Sequence, residues 1–181
     1  MKKPKIIQVV QLGQPILRAK AKPVRDVTAA EMQEIIENLL ATCADFNGVG
    51  IAAPQIDESA RIFIVASHPS PRYPKAPMMK PTPMINPKIV ERSRTKKKDW
   101  EGCLSIPGLR GLVLRHTWVR VEYTDRKGKL HKAHYSDFPA RIFQHELDHL
   151  NGIVFTDHAA SADLVTEKEY ARIMKATSKK K

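Results

Sequence analysis

The segment His145-Glu146-Leu147-Asp148-His149 restricts this chain more than any other stretch. Two histidines four positions apart on a helix project from one face about one turn apart, close enough to share a divalent cation. The glutamate beside the first histidine then reaches a metal-bound water and takes its proton. The segment therefore asks for a helix with its ligand face turned onto an ion, at the centre of the fold. The chain has seven histidines in 181 residues, so chance rarely produces this spacing. It marks a metallohydrolase without saying which kind.

Catalytic sites of this type take three protein ligands and keep a fourth position for water. A third histidine six residues after His149 would extend the motif, with glycine halfway. Gly152 is present, but the required position holds Phe155. Glu169, twenty residues beyond His149, has the spacing of a glutamate on a following helix. The remaining choice is a cysteine upstream. Cys43 falls in the apolar stripe of an expected helix and reads as core, where free cysteine is common. Cys103 lies in Trp100-Glu101-Gly102-Cys103-Leu104-Ser105-Ile106-Pro107-Gly108. The glycines and proline there mark a loop or strand end that lets the backbone approach another group. A thiolate binds a divalent ion tightly, and binding itself removes the proton. Cys103 is the better donor, while spacing leaves Glu169 open.

Gly48-Val49-Gly50-Ile51-Ala52-Ala53-Pro54-Gln55 is a run of small residues ending in an amide side chain. It reads together with Glu101-Gly102-Cys103-Leu104-Ser105 and Gln144-His145-Glu146-Leu147-Asp148-His149-Leu150-Asn151-Gly152. The three segments closely resemble the signature motifs of the peptide deformylases, in that family's order and at similar spacing. The surrounding pattern is alike from roughly residue 5 to 160. The resemblance implies removal of the formyl group from the N-terminal formylmethionine of newly made polypeptides. It implies Cys103, His145 and His149 as metal ligands, Glu146 as general acid and base, and Gln55 with the backbone N–H of Leu104 as holders of the formyl oxygen. It also implies one Fe(II) per chain, with Ni, Co or Zn tolerated. The donor set by itself fits zinc and iron equally.

The chemistry of these residue types agrees. Hydrolysing a formamide at neutral pH needs a nucleophile, which a metal supplies by lowering the pKa of water towards ~7. Attack makes a tetrahedral oxyanion, and each preorganised donor aimed at it is worth roughly 3–4 kcal/mol. Gln55 offers two side-chain donors and Leu104 a third. Glu146 returns its proton to the departing amine. Small residues at 48, 50, 52 and 53 let a peptide backbone pair closely, as in strand addition. Gly50 and Gly102 are thus expected substrate-binding positions. Val49 and Ile142 are expected to form an apolar pocket for the methionine side chain, and Glu101 to pair with Arg115 behind the ligands.

At 181 residues the chain suits a single domain, 1–181, with 168–181 as a basic helix end and tail. The expected class is α+β, with antiparallel or mixed sheets around the central metal-binding helix and one helix towards each terminus. Thr28-Ala29-Ala30-Glu31 reads as a capping box. It opens a helix with Met32, Ile35, Ile36, Leu39, Leu40 and Cys43 on one face, ending near Gly48. Strands are expected at 61–66 and 84–90, and a hairpin from 117–123 and 129–134 about Asp125-Arg126-Lys127-Gly128. Asp137 and Pro139 open the metal helix, and Asn151-Gly152 closes it. Thr166-Glu167-Lys168-Glu169 reads as a second capping box, which favours Glu169 as a cap over a ligand. Residues 67–83 hold six prolines and read as a long, partly extended insertion, either a lid or rim near the cleft or, the favoured reading, a surface excursion. Phe138-Pro139 stands where the resemblance leads one to expect a glycine-containing stretch, so the helix entry is in question and the ligands are not.

The formal charge is +12, with five cations between Arg92 and Lys98 and a terminal Lys179-Lys180-Lys181. Such charge suits the phosphate-rich ribosome surface where nascent chains emerge, with the basic residues 168–181 as the contact. No stretch approaches the ~18 apolar residues of a membrane span. The N-terminal apolar run is too short for a signal peptide. Two cysteines in different roles point to a reducing compartment. A cytoplasmic monomer with no membrane partner is the expectation. Two other readings compete: a metalloendoprotease with Glu169 as third ligand, and a basic RNA- or ribosome-binding protein with a structural metal. Against the second, Glu146 would be a needless non-ligand, and no RNA-reading aromatic motif appears.

Overall fold

The computed structural model describes residues 3–70 and 73–178; Lys179-Lys180-Lys181 and Pro71, on which two expectations partly rest, lie outside the described residues. The chain runs through α1 (Ala30–Asp45), β1 (Gly50–Ala52), β2 (Ile62–Val65), β3 (Thr82–Arg92), β4 (Lys96–Cys103) and β5 (Ile106–His116). It continues through β6 (Trp118–Thr124), β7 (Leu130–Ser136), α2 (Asp137–Leu150), β8 (Leu164–Thr166) and α3 (Glu167–Ser178). The named strands form two antiparallel sheets, β1-β2-β3-β6-β7 and β4-β5-β8. The class is α+β, as the sequence indicates.

Strand β2, Ile62-Phe63-Ile64-Val65, is buried on both faces. Its two-residue period sends Ile62 and Ile64 to α1, where they pack with Ile35, Ile36, Leu39 and Cys43. Phe63 and Val65 go the other way, to Ala140, Ile142, Phe143 and Leu150 of α2. A smaller cluster of Ile106, Val113, Val154 and Phe155 seals the second sheet. Helix α2 thus lies on the five-stranded sheet, and through Arg141 it also reaches the carbonyls of Lys97 and Val113 on β4 and β5.

The helix ends differ in detail from their sequence signatures. Thr28 does not cap α1, because its N–H and hydroxyl both donate to Asp26 Oδ1, at 2.9 and 2.7 Å. At the other end Asn47 takes the left-handed position, φ 48°, and Gly48 N–H donates to Cys43 O at 2.8 Å. Gly48 is therefore the outer residue of the closing motif rather than its left-handed centre. Helix α2 closes as expected: Gly152 has φ 75°, and Ile153 N–H donates to Asp148 O at 3.0 Å. That closure holds the turn carrying His149. Thr166 does cap α3, accepting Glu169 N–H at 3.3 Å.

Strand β3 runs longer than expected, with register shifts between Ile85 and Lys88 in its pairing to β6. The hairpin β4–β5, which delivers Cys103 at the end of β4, was legible only as a loop or strand end.

Candidate metal centre

On α2, Arg141, His145 and His149 recur at intervals of four and share a face. Cys103 Sγ and one ring nitrogen from each of His145 and His149 all lie within 4.8 Å of one another. Cys103 Sγ is 3.2 Å from His149 Nε2. One soft thiolate and two imidazoles form a donor set that suits a divalent transition metal. Among the described residues no other cluster of this kind occurs. Glu169 stands apart, holding Arg172 Nε at 2.9 Å, so the choice between the two candidate ligands falls to Cys103.

Glu146 borders the same cleft and is 4 % exposed. Its Oε2 is buried with no hydrogen-bond partner among the described residues. An unpaired buried carboxylate oxygen costs at least ~1–3 kcal/mol. Beside a metal-ligand cluster, it fits a base kept for a ligand's proton. Burial pushes its carboxyl up to about 7, with His145 and His149 pulling down and Cys103 and Glu101 adding to the rise. Burial opposes ionisation of Cys103 too, but the imidazoles of His149 and His145 bring its thiol down to about 5. His145 is held well above its ordinary value despite burial, by Cys103 and Glu101. Thiolate and imidazolium share the proton that an ion would displace.

Behind the candidate ligands sits Glu101, also 4 % exposed. It accepts from Arg115 Nε at 2.9 Å and Nη2 at 3.0 Å, and from Arg141 Nη1 at 2.8 Å. His145 Nδ1 lies 2.9 Å from Glu101 Oε2. With the proton on Nδ1, Nε2 is left bare for an ion. Arg115 extends the brace to Asp148, which His158 also reaches. The expected Glu101–Arg115 pair is therefore present. Arg141 and Asp148 were missed, although the four-residue spacing of Arg141 from His145 was a usable signal.

The cleft is a cavity of about 260 Å³ that includes Val49, Gly50, Gly102, Leu104 and Ile142 in its lining. Gln55 enters it from a short 3-10 turn, Ala53–Ile56. Its Oε1 accepts Ala52 N–H at 2.9 Å, which fixes the amide orientation. Its Nε2 donates to Ser105 Oγ at 3.2 Å and to Cys103 Sγ at 3.4 Å. Both expected donors are therefore engaged, one of them with the Cys103 sulfur on the ligand side. The glycines also serve side chains. A Cβ on Gly50 would lie 2.9 Å from both Glu146 Cδ and Ile142 Cγ2, and one on Gly102 would strike the Arg110 guanidinium.

Of the two readings of the proline-rich stretch, a rim of the cleft agrees better with its placement than a surface excursion alone. Ser67 is buried, anchoring the loop through Ser67 Oγ to Pro77 O at 2.7 Å and Met79 N–H to Ser67 O at 2.8 Å. The loop brings Tyr73 into the cleft wall. At the entry of α2, Asp137 adopts φ 52°, the conformation a glycine would take without strain, so Phe138-Pro139 is accommodated.

Comparison with known proteins agrees with this geometry. The family model for polypeptide deformylase matches residues 6–164. The chain is 53% identical over 177 residues to "Peptide deformylase 2" of Nostoc sp., covering 97% of this chain and 99% of that one. Among solved structures, a Met-Ala-Ser-bound class I type b peptide deformylase from Acinetobacter baumannii superposes with a TM-score of 0.83 at 43% identity, covering 85% of this chain and 98% of that one. A peptide deformylase from Thermotoga maritima gives 0.76 at 31% identity, covering 86% and 99%.

Proposed function

The chain belongs to the polypeptide deformylase family, and on that premise we propose how its own residues remove the N-formyl group from new polypeptides. The observation that carries the reading is the convergence of Cys103, His145 and His149 beside the unpaired carboxylate oxygen of Glu146. Those three residues would hold one divalent ion. Fe(II) is the native ion the family resemblance favours, with Zn, Ni or Co able to replace it. When bound, the ion supplies Lewis acidity, lowering the pKa of water towards ~7 and polarising the formyl oxygen.

The remaining work falls to the protein. The peptide adds as a strand along β1, an edge strand, with main-chain hydrogen bonds supplying affinity. Gly50 and Gly102 flank it, and the first side chain enters between Val49 and Ile142. Glu146 takes the proton of the attacking water and returns it to the leaving amine, releasing formate and a free N-terminus. The Gln55 Nε2 hydrogen that faces Cys103 Sγ turns to the oxyanion, and the Leu104 N–H donates to it as well. Glu101 and Arg115 keep His145 oriented throughout.

No helix among the described residues is long and apolar enough to cross a membrane. The enzyme is proposed to act as a cytoplasmic monomer. Exposed Lys168 and Arg172 on α3 support a ribosome contact by the basic end 168–181, tested by co-sedimentation of full-length and truncated protein across a salt series. The endoprotease reading loses its ligand, since Glu169 lies outside the cluster. The RNA-binding reading finds no support in the family to which the chain belongs.

The decisive test is an anaerobic assay of Fe(II)-loaded protein on N-formyl-Met-Ala-Ser, reading formate. The wild type is expected to release formate readily, and Glu146→Ala to keep its ion and lose the activity. A Glu146→Ala protein with full activity would refute the assignment.

A further inference from the structure

Part of the cleft wall is built by side chains outside the Cys103, His145 and His149 cluster: Tyr73, Phe138 and Arg110. Phe138 lies seven positions before His145 on α2, about 10 Å along the axis. The Tyr73 ring packs on Phe138 with centroids 4.6 Å apart. Its hydroxyl accepts from Arg110 Nη1 at 3.1 Å. Arg110 is only 4 % exposed, bonded to Glu167 Oε1 through Nε at 3.0 Å and Nη2 at 2.7 Å, and stacked 5.3 Å over the Tyr170 ring. Tyr73 thus joins two walls, α2 through Phe138 and β5 through Arg110. Its own backbone is pinned as well: its N–H donates to Ser70 O at 2.9 Å, and its carbonyl accepts Ala76 N–H at 3.1 Å.

We propose that Tyr73 is a specificity-determining residue, its ring closing the end of the side-chain pocket and limiting the length of the first residue. The inference rests on the reading that this side chain enters past Val49 and Ile142. Ile142, Tyr73 and Phe138 line the same cleft, so a side chain entering past Ile142 shares it with the Tyr73–Phe138 pair. One longer than methionine's meets two packed rings that are held from behind. The signal in the sequence was weak, because the residue sits in a proline-rich stretch with no periodicity.

The test compares kcat/KM of the Fe(II)-loaded enzyme on N-formyl-Met-Ala-Ser with that on the analogue carrying 2-aminooctanoate first, two side-chain atoms longer. One methylene in an apolar pocket changes selectivity by ~10–200-fold. Tyr73→Ala is expected to raise the ratio of long to methionyl substrate at least ~10-fold, chiefly through KM. Tyr73→Phe, which keeps the ring and loses the hydroxyl, should retain the wild-type ratio, and Tyr73→Trp should lower it. If Tyr73→Ala does not fold, as judged by its thermal melt, the Phe and Trp variants decide the matter. Ile142→Phe tests the pocket itself and should reduce turnover of the methionyl substrate. A ratio unmoved by the Tyr73 variants, while Ile142→Phe excludes methionine, overturns the inference and leaves the pocket standing. Insensitivity to both sets overturns the pocket and the inference together. Tyr73→Phe behaving as Tyr73→Ala overturns the role of the ring.

Discussion

Replacing Gly50 by alanine isolates the close approach of β1 to the Glu146 carboxylate, the proposed base. Gly50 is not among the glycines with positive φ, so alanine meets no backbone strain there. The added methyl would lie 2.9 Å from Glu146 Cδ and 2.9 Å from Ile142 Cγ2. Non-bonded carbons settle at ~3.5–4.0 Å, so the carboxylate must withdraw by roughly 0.6–1.1 Å. The strand cannot yield instead, because Gly50 is paired with Val65 of β2. A displacement of ~1 Å in a catalytic group costs about 10²-fold in rate. That is a barrier increase of ~2.7 kcal/mol. Gly50→Ala is therefore expected to fold, to bind its ion through unaltered Cys103, His145 and His149, and to lose about 10²-fold in kcat. The assay is formate release from N-formyl-Met-Ala-Ser at matched metal content, with metal measured on the same sample. A kcat within threefold of wild type at full occupancy would refute the claim that this glycine makes room for Glu146.

Glu101→Gln keeps the shape of the brace and removes its charge; metal retention against a competing chelator should weaken ~10–100-fold, and an unchanged affinity would exclude Glu101 as a support for His145. Burial resists ionisation of Glu101, but His145 and Arg115 hold its carboxyl well below the ordinary carboxylate range. Its contribution to stability is thus present above ~4.3, the unfolded value, and is lost as pH falls towards the lower folded one. The wild-type melting temperature should drop steeply in that acid window, and less so in Glu101→Gln. Burial pushes the Cys43 thiol up to about 12, whereas the imidazoles hold Cys103 at about 5 against burial. Chelating the ion at pH 7 should therefore expose one fast-reacting thiol to a chromogenic disulfide reagent; two would contradict the core placement of Cys43.

The candidate ligands and base on α2 were legible because each is a chemical type at a fixed helical spacing. His145, His149 and Glu146 needed only the period of a helix, and Cys103 needed the small residues that bring β4 to it. The choice between Cys103 and Glu169 was harder. Spacing left it open, the capping box at Thr166 argued against Glu169, and it is Glu167 that reaches the cleft, through Arg110. Hairpin β4–β5 stayed hidden because Lys96, Lys97 and Lys98 are all exposed, erasing the alternation that marks a strand. Lysines on an edge strand also discourage pairing with other chains. Thr28 failed as a cap because Asp26, two residues earlier, competes for the same groups. Tyr73 was invisible for a different reason: its meaning arises only when a loop without periodicity lands on Phe138.

Two buried glutamates show how far residue type alone falls short. Glu101 and Glu146 are each 4 % exposed, and both face His145 chemistry, yet their environments separate them. Burial raises both carboxyls. At Glu101 it is outweighed by His145 and Arg115, so the group stays ionised and serves as a fixed anion. At Glu146 no guanidinium is within hydrogen-bonding distance among the described residues, one oxygen is unpaired, and the carboxyl rises to about 7. A group poised there gives and takes a proton near neutrality. What selects the base from the brace is the placement of Arg115 and Arg141, both of which turn to Glu101. Moving either positive charge to the Glu146 side would hold that carboxyl ionised and deprive the leaving amine of its proton.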